Sequence, residues 1–322
     1  MLSEFELISR FFTRAPRSGG ALRLGVGDDC ALLAAPAAEI LAVSTDMLVE
    51  GRHFFAGAEP EALGHKALAV NLSDLAAMGA RPLGFSLALA LPAANEDWLE
   101  KFSRGLFALA DLHQMDLIGG DTTRGPLNLC ITIFGSVPES AALRRTGAKA
   151  GDEIWVSGTL GDARLALEAL QGKLTLTAYQ LSIAAQRLHR PTPRIALGLA
   201  LRGIASAAID VSDGLLGDLG HVLDASGTGA VIQADALPLG AALRTQSKTM
   251  QYEFALNGGD DYELCFTAPV HQHAAVLAAG LTADVALTCI GHIRAEAGLH
   301  ITDASGQPLA ISSHSFDHFA RP

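Results

Sequence analysis

The chain has 322 residues, enough for two domains that each have a hydrophobic core. It is 49% hydrophobic, 18% charged and 6% aromatic and contains 33 glycines, which is the composition of a compact α/β protein and excludes a disordered chain. The formal net charge is −11, and no run of lysine and arginine exceeds the pair Arg144-Arg145, which excludes an ordinary nucleic-acid binder with a basic surface. Such an acidic protein binds a polyanion when metal ions supply the positive charge.

We expect a soluble, cytoplasmic protein with no membrane partner. The four cysteines are far apart and form no Cys-x-x-Cys pair, which favours free thiols in a reducing cytosol over a zinc site. The first residues are acidic and lack the apolar core of a signal peptide. The most apolar long stretch, 195–209, is interrupted by Arg202 and Gly203 and therefore does not suit a membrane span.

Apolar periodicity and turn residues predict helices and strands in both halves of the chain. The elements predicted for the first half are a helix over 4–14, strand pieces over 22–26 and 30–33, a buried strand over 40–43 that ends before Ser44, a helix over 59–79, a strand over 83–91, a helix over about 95–114, and a strand pair split by a turn at 119–125 and ending at 137. The elements predicted for the second half are a strand over 153–156, a helix over 162–171, a strand ending at Asp210, a helix capped by Ser212 and running to about 225, and short strands with helices between them over 230–301. Phe5, Ile8, Phe11 and Phe12 are expected on one side of the first helix.

The order of these elements indicates the α+β class. The polar segment 138–152 separates the two halves and is the predicted domain junction. It divides the chain into an N-terminal domain over 1–148 and a C-terminal domain over 149–322.

Aspartate follows glycine or serine at the end of a short apolar run in five places. These groups are Gly27-Asp28-Asp29, Ser44-Thr45-Asp46, Gly119-Gly120-Asp121, Asp210-Val211-Ser212-Asp213-Gly214 and Gly258-Gly259-Asp260-Asp261. Each group alone is typical of an ordinary turn. The helical spacing also puts Asp74 on or beside an apolar helix face, where a carboxylate is costly without a partner. Together the six features favour a shared site for hard divalent cations, whose preferred ligands are carboxylate oxygens.

Other signatures of phosphate and hydrolase chemistry are absent. The sequence contains no P-loop, no complete dinucleotide loop, no protein-kinase motifs, no His-Glu-x-x-His, no Gly-x-Ser-x-Gly and no calcium loop. His53 follows the Asp46 group on a polar stretch and is a further candidate. The pair Arg144-Arg145 has two interpretations: a solvated basic pair, or a bidentate clamp on a phosphate in a cleft between domains.

Seven motifs follow one another along essentially the whole chain. They are Gly27-Asp28-Asp29-Cys30-Ala31, Ser44-Thr45-Asp46, Asn71-Leu72-Ser73-Asp74-Leu75-Ala76-Ala77-Met78-Gly79-Ala80, Gly119-Gly120-Asp121-Thr122, Val156-Ser157-Gly158-Thr159-Leu160-Gly161-Asp162, Asp210-Val211-Ser212-Asp213-Gly214 and Gly258-Gly259-Asp260-Asp261-Tyr262-Glu263-Leu264. This ordered set closely resembles the thiamine-monophosphate kinases, which are members of the aminoimidazole ribonucleotide synthetase-like superfamily. The resemblance implies an α/β N-terminal domain that dimerises through its sheet, an α+β C-terminal domain, and an ATP site in the cleft between them.

The resemblance also implies roles for individual residues. The implied ligands of several Mg²⁺ ions are Asp29, Ser44, Thr45, Asp46, Asp74, Asp121, Asp210 and Asp213. The implied ATP contacts are Gly120, Asp121, Arg145 and Ser212, and the implied contacts to the thiamine substrate are His53, Asp260 and Phe316. This chain departs from the family at Asp260, because the family usually has glutamate there and the aspartate side chain is one methylene shorter.

The implied reaction transfers the γ-phosphoryl group of ATP in line, with the assistance of Mg²⁺, to the phosphate of thiamine monophosphate, giving thiamine diphosphate and ADP. This is the final step of thiamine diphosphate biosynthesis. The acceptor phosphate has a second pKa of about 6 and is largely ionised near neutral pH, so we expect neither a general base nor a covalent nucleophile. The substrates are small molecules, and no nucleic-acid partner is expected.

Two other functions remain open. The first is that of another superfamily member that activates an oxygen with ATP, such as a purine-pathway amidine synthetase, a selenophosphate synthetase or a hydrogenase-maturation protein. The position of Cys30 inside an acidic motif and the ending Phe319-Ala320-Arg321-Pro322, without cysteine, favour the kinase. The second is a regulator that binds Mg-ATP without turnover.

Overall fold

The computed structural model describes residues 3–27 and 30–311. The chain divides into two compact units. Unit 1 comprises Met1–Leu75 and Ala80–Ser140, and unit 2 comprises Ala76–Gly79 and Ala141–Pro322. Among the described residues, no helix combines the length and the apolar character that crossing a membrane requires.

Unit 1 is built on a four-stranded sheet with strand order β3-β6-β4-β5. Its elements in chain order are α1 (Glu4–Leu7), a π-helical turn (Ile8–Phe12), β1 (Leu22–Leu24), β2 (Leu32–Leu33), β3 (Ile40–Val49), α2 (Pro60–Ala77), β4 (Arg81–Leu91), α3 (Glu96–Leu112), β5 (Asp116–Arg124), β6 (Asn128–Val137) and a 3₁₀ turn (Glu139–Ala141). β6 pairs antiparallel with both β3 and β4, and β4 pairs parallel with β5. β1 and β2 form a separate two-stranded sheet.

The two long helices of unit 1 pack closely on each other and on the sheet. A Cβ atom at Gly64 would overlap the carbonyl of Phe102, and one at Gly105 would overlap the carbonyl of Glu61, so both glycines permit close backbone approach of α2 and α3. Leu75 of α2 meets the sheet at Gly135 of β6. One face of the sheet is therefore covered by helices.

The first helix is shorter than predicted. α1 ends at Leu7 and continues as a π-helical turn, which changes the angular spacing of the side chains. Phe11 and Phe12 are buried, whereas Phe5 is 79% exposed. The prediction that Phe5 shares an apolar side with Phe11 and Phe12 is therefore wrong.

Two acidic groups predicted at strand ends lie inside strands. β3 runs to Val49 because all ten of its residues pair with β6, so Ser44 and its two neighbours are in mid-strand. The predicted burial of residues 40–43 is also wrong, since Val43 is 56% exposed. The turn predicted at 119–125 is a strand over most of its length, because Gly119 to Arg124 pair with β4.

Unit 2 contains a six-stranded mixed sheet with strand order β12-β9-β11-β7-β10-β8. Its elements in chain order are β7 (Glu153–Ser157), α4 (Asp162–Leu170), α5 (Ala178–His189), α6 (Ile195–Ala200), β8 (Ala207–Asp210), α7 (Leu215–Ser226), β9 (Gly229–Gln233), α8 (Lys248–Asn257), β10 (Leu264–Ala268), α9 (His273–Thr282), β11 (Leu287–Arg294) and β12 (Gly298–Thr302), with 3₁₀ turns at Ala234–Ala236, Leu243–Thr245 and Val270–Gln272. β8 and β10 are buried at every position, and β7 is buried at four of its five. The predicted α+β class is confirmed.

Candidate functional site

Unit 1 brings a serine hydroxyl and an aspartate carboxylate together. Ser44 on β3 donates a hydrogen bond from Oγ to Oδ2 of Asp74 on α2, at 2.5 Å. Asp46 lies two residues along the same strand and therefore points to the same face of the sheet. Thr45 points to the opposite face, where its Oγ1 lies 2.9 Å from Oγ1 of Thr132. The structure thus groups Ser44, Asp46 and Asp74 on one face and separates the side chain of Thr45 from them.

The chemistry of this group suits Mg²⁺. Hydroxyl and carboxylate oxygens are hard donors, and neighbouring ligands in an octahedral Mg²⁺ shell lie about 2.9 Å apart, given Mg–O distances of about 2.0–2.1 Å. Oγ of Ser44 and Oδ2 of Asp74 are close enough to share one ion. Within residues 3–27 and 30–311, no three His, Cys, Asp or Glu side chains form a ready-made metal cluster. Asp29, a predicted ligand, lies outside the described residues.

Gly120 and Asp121 lie on β5, at the opposite edge of the sheet from β3. The register places Asp46, Ile131, Leu87 and Gly120 in one row across the four strands. Three inter-strand spacings separate the ends of that row, or about 14 Å. Unit 1 by itself therefore does not bring Asp121 next to Asp46. Gly120 has φ +150°, and a Cβ atom there would overlap the carbonyl of Leu87, so this position requires glycine.

His53 occupies the turn that follows β3. Its Nδ1 accepts a hydrogen bond from the N–H of Val49 at 3.0 Å, and the ring is half-buried. Because Nδ1 accepts, the neutral ring carries its proton on Nε2. The turn thus sets both the position and the tautomer of the histidine.

In unit 2, the carboxylate of Asp218 holds the backbone of the acidic group at 210–214. Oδ2 of Asp218 accepts the N–H groups of Ser212 and Asp213 at 3.0 and 3.1 Å. Burial raises the pKa of Asp218 to about 7, although these backbone donors act in the other direction. Asp210 itself ends β8 and is buried.

The prediction that Ser212 caps helix α7 is wrong. The helix begins at Leu215 and its N-cap is Gly214, with no side-chain cap hydrogen bond. Asp218, in the first turn of the helix, instead accepts the N–H groups of Ser212 and Asp213, which precede the helix. The sequence contained a signal for this role, because Asp218 lies among the apolar positions Leu215 and Leu219 of the helix and needs partners there.

The two aspartates of the last acidic group, Asp260 and Asp261, lie in different environments. Asp260 is half-buried and donates its N–H to the carbonyl of Ser212 at 2.9 Å. Asp261 is fully buried, and its two carboxylate oxygens accept the N–H of Gly161 at 3.0 and 2.9 Å. Burial raises the pKa of Asp261 well above its ordinary value. Asp261 therefore holds backbone, whereas the half-buried Asp260 accepts a hydrogen bond at Oδ1 from the hydroxyl of Tyr262 at 3.3 Å.

The basic pair lies on an exposed segment of unit 2 whose backbone is tied down. The carbonyl of Arg144 accepts the N–H of Ala208 at 2.8 Å, and the carbonyl of Arg145 accepts a hydrogen bond from Oγ of Ser226 at 3.2 Å. Both arginine side chains are exposed, which suits either interpretation of the pair. Phe316, a predicted substrate contact, lies outside the described residues.

The predicted list of site residues omitted three residues of unit 2 that form a buried ionic cluster. Glu263 pairs with Arg187 and Arg194, with N···O distances of 2.6 and 2.5 Å. Glu263 belongs to a motif noted in the sequence, whereas the arginines lie on α5 and just before α6, about 70 residues away. No local pattern connects them.

Comparison with known proteins gives matches over most of the chain. The AIR synthase related protein family matches in two parts, its N-terminal domain over residues 27–137 and its C-terminal domain over residues 149–304. A thiamine-monophosphate kinase of Salmonella typhimurium is 50% identical over 322 residues, which covers 99% of this chain and 99% of that protein.

Solved structures agree with the sequence comparison. Thiamine-monophosphate kinase from Stenotrophomonas maltophilia K279a superposes with a TM-score of 0.83 at 51% identity, covering 87% of this chain and 91% of the other. AaThiL complexed with AMPPCP and TMP superposes with a TM-score of 0.77 at 30% identity, covering 91% of this chain and 92% of the other.

Proposed function

The chain belongs to the thiamine-monophosphate kinase family of AIR synthase related proteins, and we propose that it transfers the γ-phosphoryl group of ATP to thiamine monophosphate. As a member of that family the protein is an enzyme, a kinase. The products would be thiamine diphosphate and ADP, in the final step of thiamine diphosphate biosynthesis. The observation that carries this proposal is the 50% identity over 99% of the chain. AaThiL, which was complexed with AMPPCP and TMP, supports it through the shared fold.

We propose magnesium ligands in each unit. In unit 1 they are Ser44, Asp46, Asp74 and Asp121, together with Asp29, and in unit 2 they are Asp210 and Asp213. The side chain of Thr45 is left out of this set because it points to the other face of the sheet. When bound, Mg²⁺ would neutralise phosphate charge and hold donor and acceptor in line.

The chain's own residues would bind and orient the substrates. Gly120 would contact ATP, and its missing side chain lets β5 pair closely with β4 at Leu87. Arg145 and Ser212 would contact ATP. His53, Asp260 and Phe316 would contact thiamine monophosphate. No residue needs to remove a proton, because the acceptor oxygen of a phosphate monoester is largely ionised near neutral pH.

A homodimer formed through the sheet of unit 1 is part of the proposal. Side chains at alternate positions of β3 point away from the helices and are apolar and exposed, among them Leu41, Val43 and Met47. A contiguous apolar surface on a sheet is typical of a protein–protein interface. We also propose a cytoplasmic location, consistent with four cysteines that are all free.

The test offers purified protein ATP and Mg²⁺ with either thiamine monophosphate or free thiamine, and identifies the products by chromatography. We expect thiamine diphosphate from the monophosphate and no product from thiamine. Hydrolysis of ATP without a phosphorylated thiamine would point to another member of the superfamily. Binding of ATP without any turnover would point to a regulator, and either result would contradict the proposal.

A further inference from the structure

The segment Gly258–Glu263 of unit 2 holds an unfavourable backbone conformation. Asp260 has φ +67° and Tyr262 has φ +49°, and neither is glycine. A left-handed conformation is unfavourable for a residue with a Cβ atom, so the surrounding contacts have to hold it. Asp260 is also the proposed substrate contact, which makes the contacts that hold this segment relevant to binding.

The main chain of this segment is bonded to the group at Asp210. The N–H of Asp260 donates to the carbonyl of Ser212 at 2.9 Å, and the N–H of Tyr262 donates to the carbonyl of Val211 at 2.8 Å. The N–H of Val211 in turn donates to the carbonyl of Glu263 at 2.8 Å. Three backbone hydrogen bonds thus fix the position of Asp260 relative to the end of β8, which carries Asp210.

Two buried carboxylates anchor the other side of the segment. Asp261 and Glu263 alternate with the two left-handed residues, and both are fully buried. Oε1 of Glu263 accepts from Nη2 of Arg187 at 2.6 Å and from Nη2 of Arg194 at 2.5 Å, and Oε2 accepts from Nε of Arg194 at 2.6 Å. Nη2 of Arg187 also donates to the carbonyl of Asp261 at 3.2 Å. Breaking any of these ion pairs would leave a buried charge without its partner, which costs free energy. The arginines therefore hold Glu263, and with it the backbone of the segment, in place.

Residues of the motif at 156–162 surround and bind the carboxylates of Asp261 and Glu263. Oγ of Ser157 donates to Oε2 of Glu263 at 2.6 Å and accepts the N–H of Leu264 at 2.9 Å. Gly158 has φ +57°, and a Cβ atom there would overlap the carboxylate of Glu263. Gly161 donates its N–H to Asp261. The motif therefore has a role that its sequence did not reveal, namely to seat Asp261 and Glu263.

We propose that Glu263, held by Arg187, Arg194 and Ser157, is a positioning residue that presents Asp260 to the thiamine substrate. The proposal rests on the proposed function for the identity of that substrate. Ser212 and Asp213 keep a separate support, because Asp218 holds their N–H groups independently of Glu263. Loss of the Glu263 cluster should therefore affect the substrate more than ATP.

The first test compares Gly158→Ala with Gly172→Ala. Gly158→Ala pushes a methyl group into the carboxylate of Glu263, whereas Gly172, at φ +73°, has nothing within 4 Å of the added methyl. Both variants carry the same kind of backbone strain, so their difference reports the contact with Glu263. We expect Gly158→Ala to raise KM for thiamine monophosphate roughly tenfold, the effect of losing one charge-assisted hydrogen bond, with KM for ATP within about twofold. Equal effects of the two variants, or equal changes in both KM values, would overturn the proposal.

The second test measures amide hydrogen exchange in the same variants and in Glu263→Gln, which keeps the shape of the side chain and removes its charge. We expect faster exchange at Asp260 and Tyr262 in Gly158→Ala and Glu263→Gln, and unchanged exchange at these amides in Gly172→Ala. This readout needs no turnover, so an inactive wild-type protein would contradict the proposed function while exchange still reports on the cluster. Unchanged exchange in Gly158→Ala, or faster exchange with an unchanged KM for thiamine monophosphate, would overturn the positioning role.

Discussion

Asp162, Asp218 and Asp261 each use a buried carboxylate to accept backbone N–H groups from a neighbouring segment. Asp162 accepts the N–H of Leu243 at 2.8 Å and thereby ties the start of α4 to the 3₁₀ turn at Leu243–Thr245. These aspartates are supports for backbone, because each accepts main-chain N–H groups of a segment next to it. At least three members of the surplus of aspartate in this sequence therefore support backbone.

Replacement of a candidate ligand should abolish turnover and leave the fold intact. For Asp46→Ala and for Asp121→Ala we expect the rate of thiamine diphosphate formation to fall roughly 100-fold or more, since each removes a carboxylate proposed to hold Mg²⁺. Steady-state kinetics and thermal unfolding measure the two properties. Asp97→Ala is the matched control in unit 1, because Asp97 is exposed and pairs with Lys101 on the surface of α3. Near-normal product formation in both ligand variants would remove the argument for a metal site.

Asp218 should make stability depend on pH. Its pKa is raised from 3.8 to about 7 in the folded protein, so between these values the folded state binds a proton that the unfolded state releases. Stability is therefore greatest at low pH within this window and falls as pH rises toward 7, by about 2–3 kcal/mol between pH 5 and pH 8 for this group alone. Asp218→Asn removes this titration and should flatten the dependence.

The measurement is urea unfolding at pH 5 and pH 8 in the presence of a chelator, for wild type and Asp218→Asn. Asp261, whose pKa is also raised, acts in the same direction in both proteins and cancels in the comparison. Trp155 lies in β7 of unit 2, so its fluorescence in a Trp98→Phe background reports on the unit that contains Asp218. Identical pH dependence of the two proteins would contradict the assignment.

At the scale of elements, strand β3 has two different faces. Ser44 and Asp46 point toward helix α2, whereas Leu41, Val43 and Met47 point away from it and are about half exposed. β3 is also an edge strand of its sheet. An exposed edge with an apolar face is a liability for an isolated chain, so we expect a partner to cover it.

A charge on the outer face of β3 should dissociate the proposed dimer. In Val43→Lys, two-fold symmetry buries one unpaired ammonium from each chain, at a cost of several kcal/mol, and the dimer Kd should rise roughly 100-fold or more. Sedimentation velocity over a range of concentrations measures this change. Leu281→Lys is the control, because Leu281 on α9 is 85% exposed and lies outside the sheet of unit 1. A wild-type monomer, or a Val43→Lys dimer of unchanged affinity, would show that this face is not the interface.

At the scale of the whole molecule, the negative charge of the chain bears on the proposed role of metal ions. The chain carries a net charge of −11 and six carboxylates are proposed as magnesium ligands, yet both proposed substrates are anionic. Direct contact between these groups is repulsive, and cations must lie between them. Bound divalent ions, as proposed, would reconcile the acidic composition with a polyphosphate substrate.

Removal of divalent ions should therefore stop turnover. We expect no thiamine diphosphate in excess EDTA and full recovery after Mg²⁺ is added back, with ATP binding by calorimetry weakened in EDTA. A structural role for the metal would instead appear as a lowered melting temperature in EDTA. Turnover that continues in the chelator would contradict the proposed magnesium-assisted mechanism.

The sequence by itself determined the elements whose signals are local. Helices α2, α3 and α4 and strand β7 have the predicted kind and nearly the predicted bounds, because helical and strand periodicity is written in neighbouring residues. The α+β class and the family follow from the order of such elements and motifs. Composition and charge had already excluded a disordered chain.

Only the tertiary structure decided what the polar motif residues do. Ser44 lies in mid-strand because β6 pairs along all of β3, and Ser212 does not cap α7 because the helix begins at Leu215, with Gly214 as its N-cap. Ser157 and Glu263 are 106 residues apart in the chain and share one hydrogen bond in the buried cluster. Hydrogen-bond and ion-pair partners of this kind are chosen by the packing of distant segments, so no local pattern in the sequence contains them.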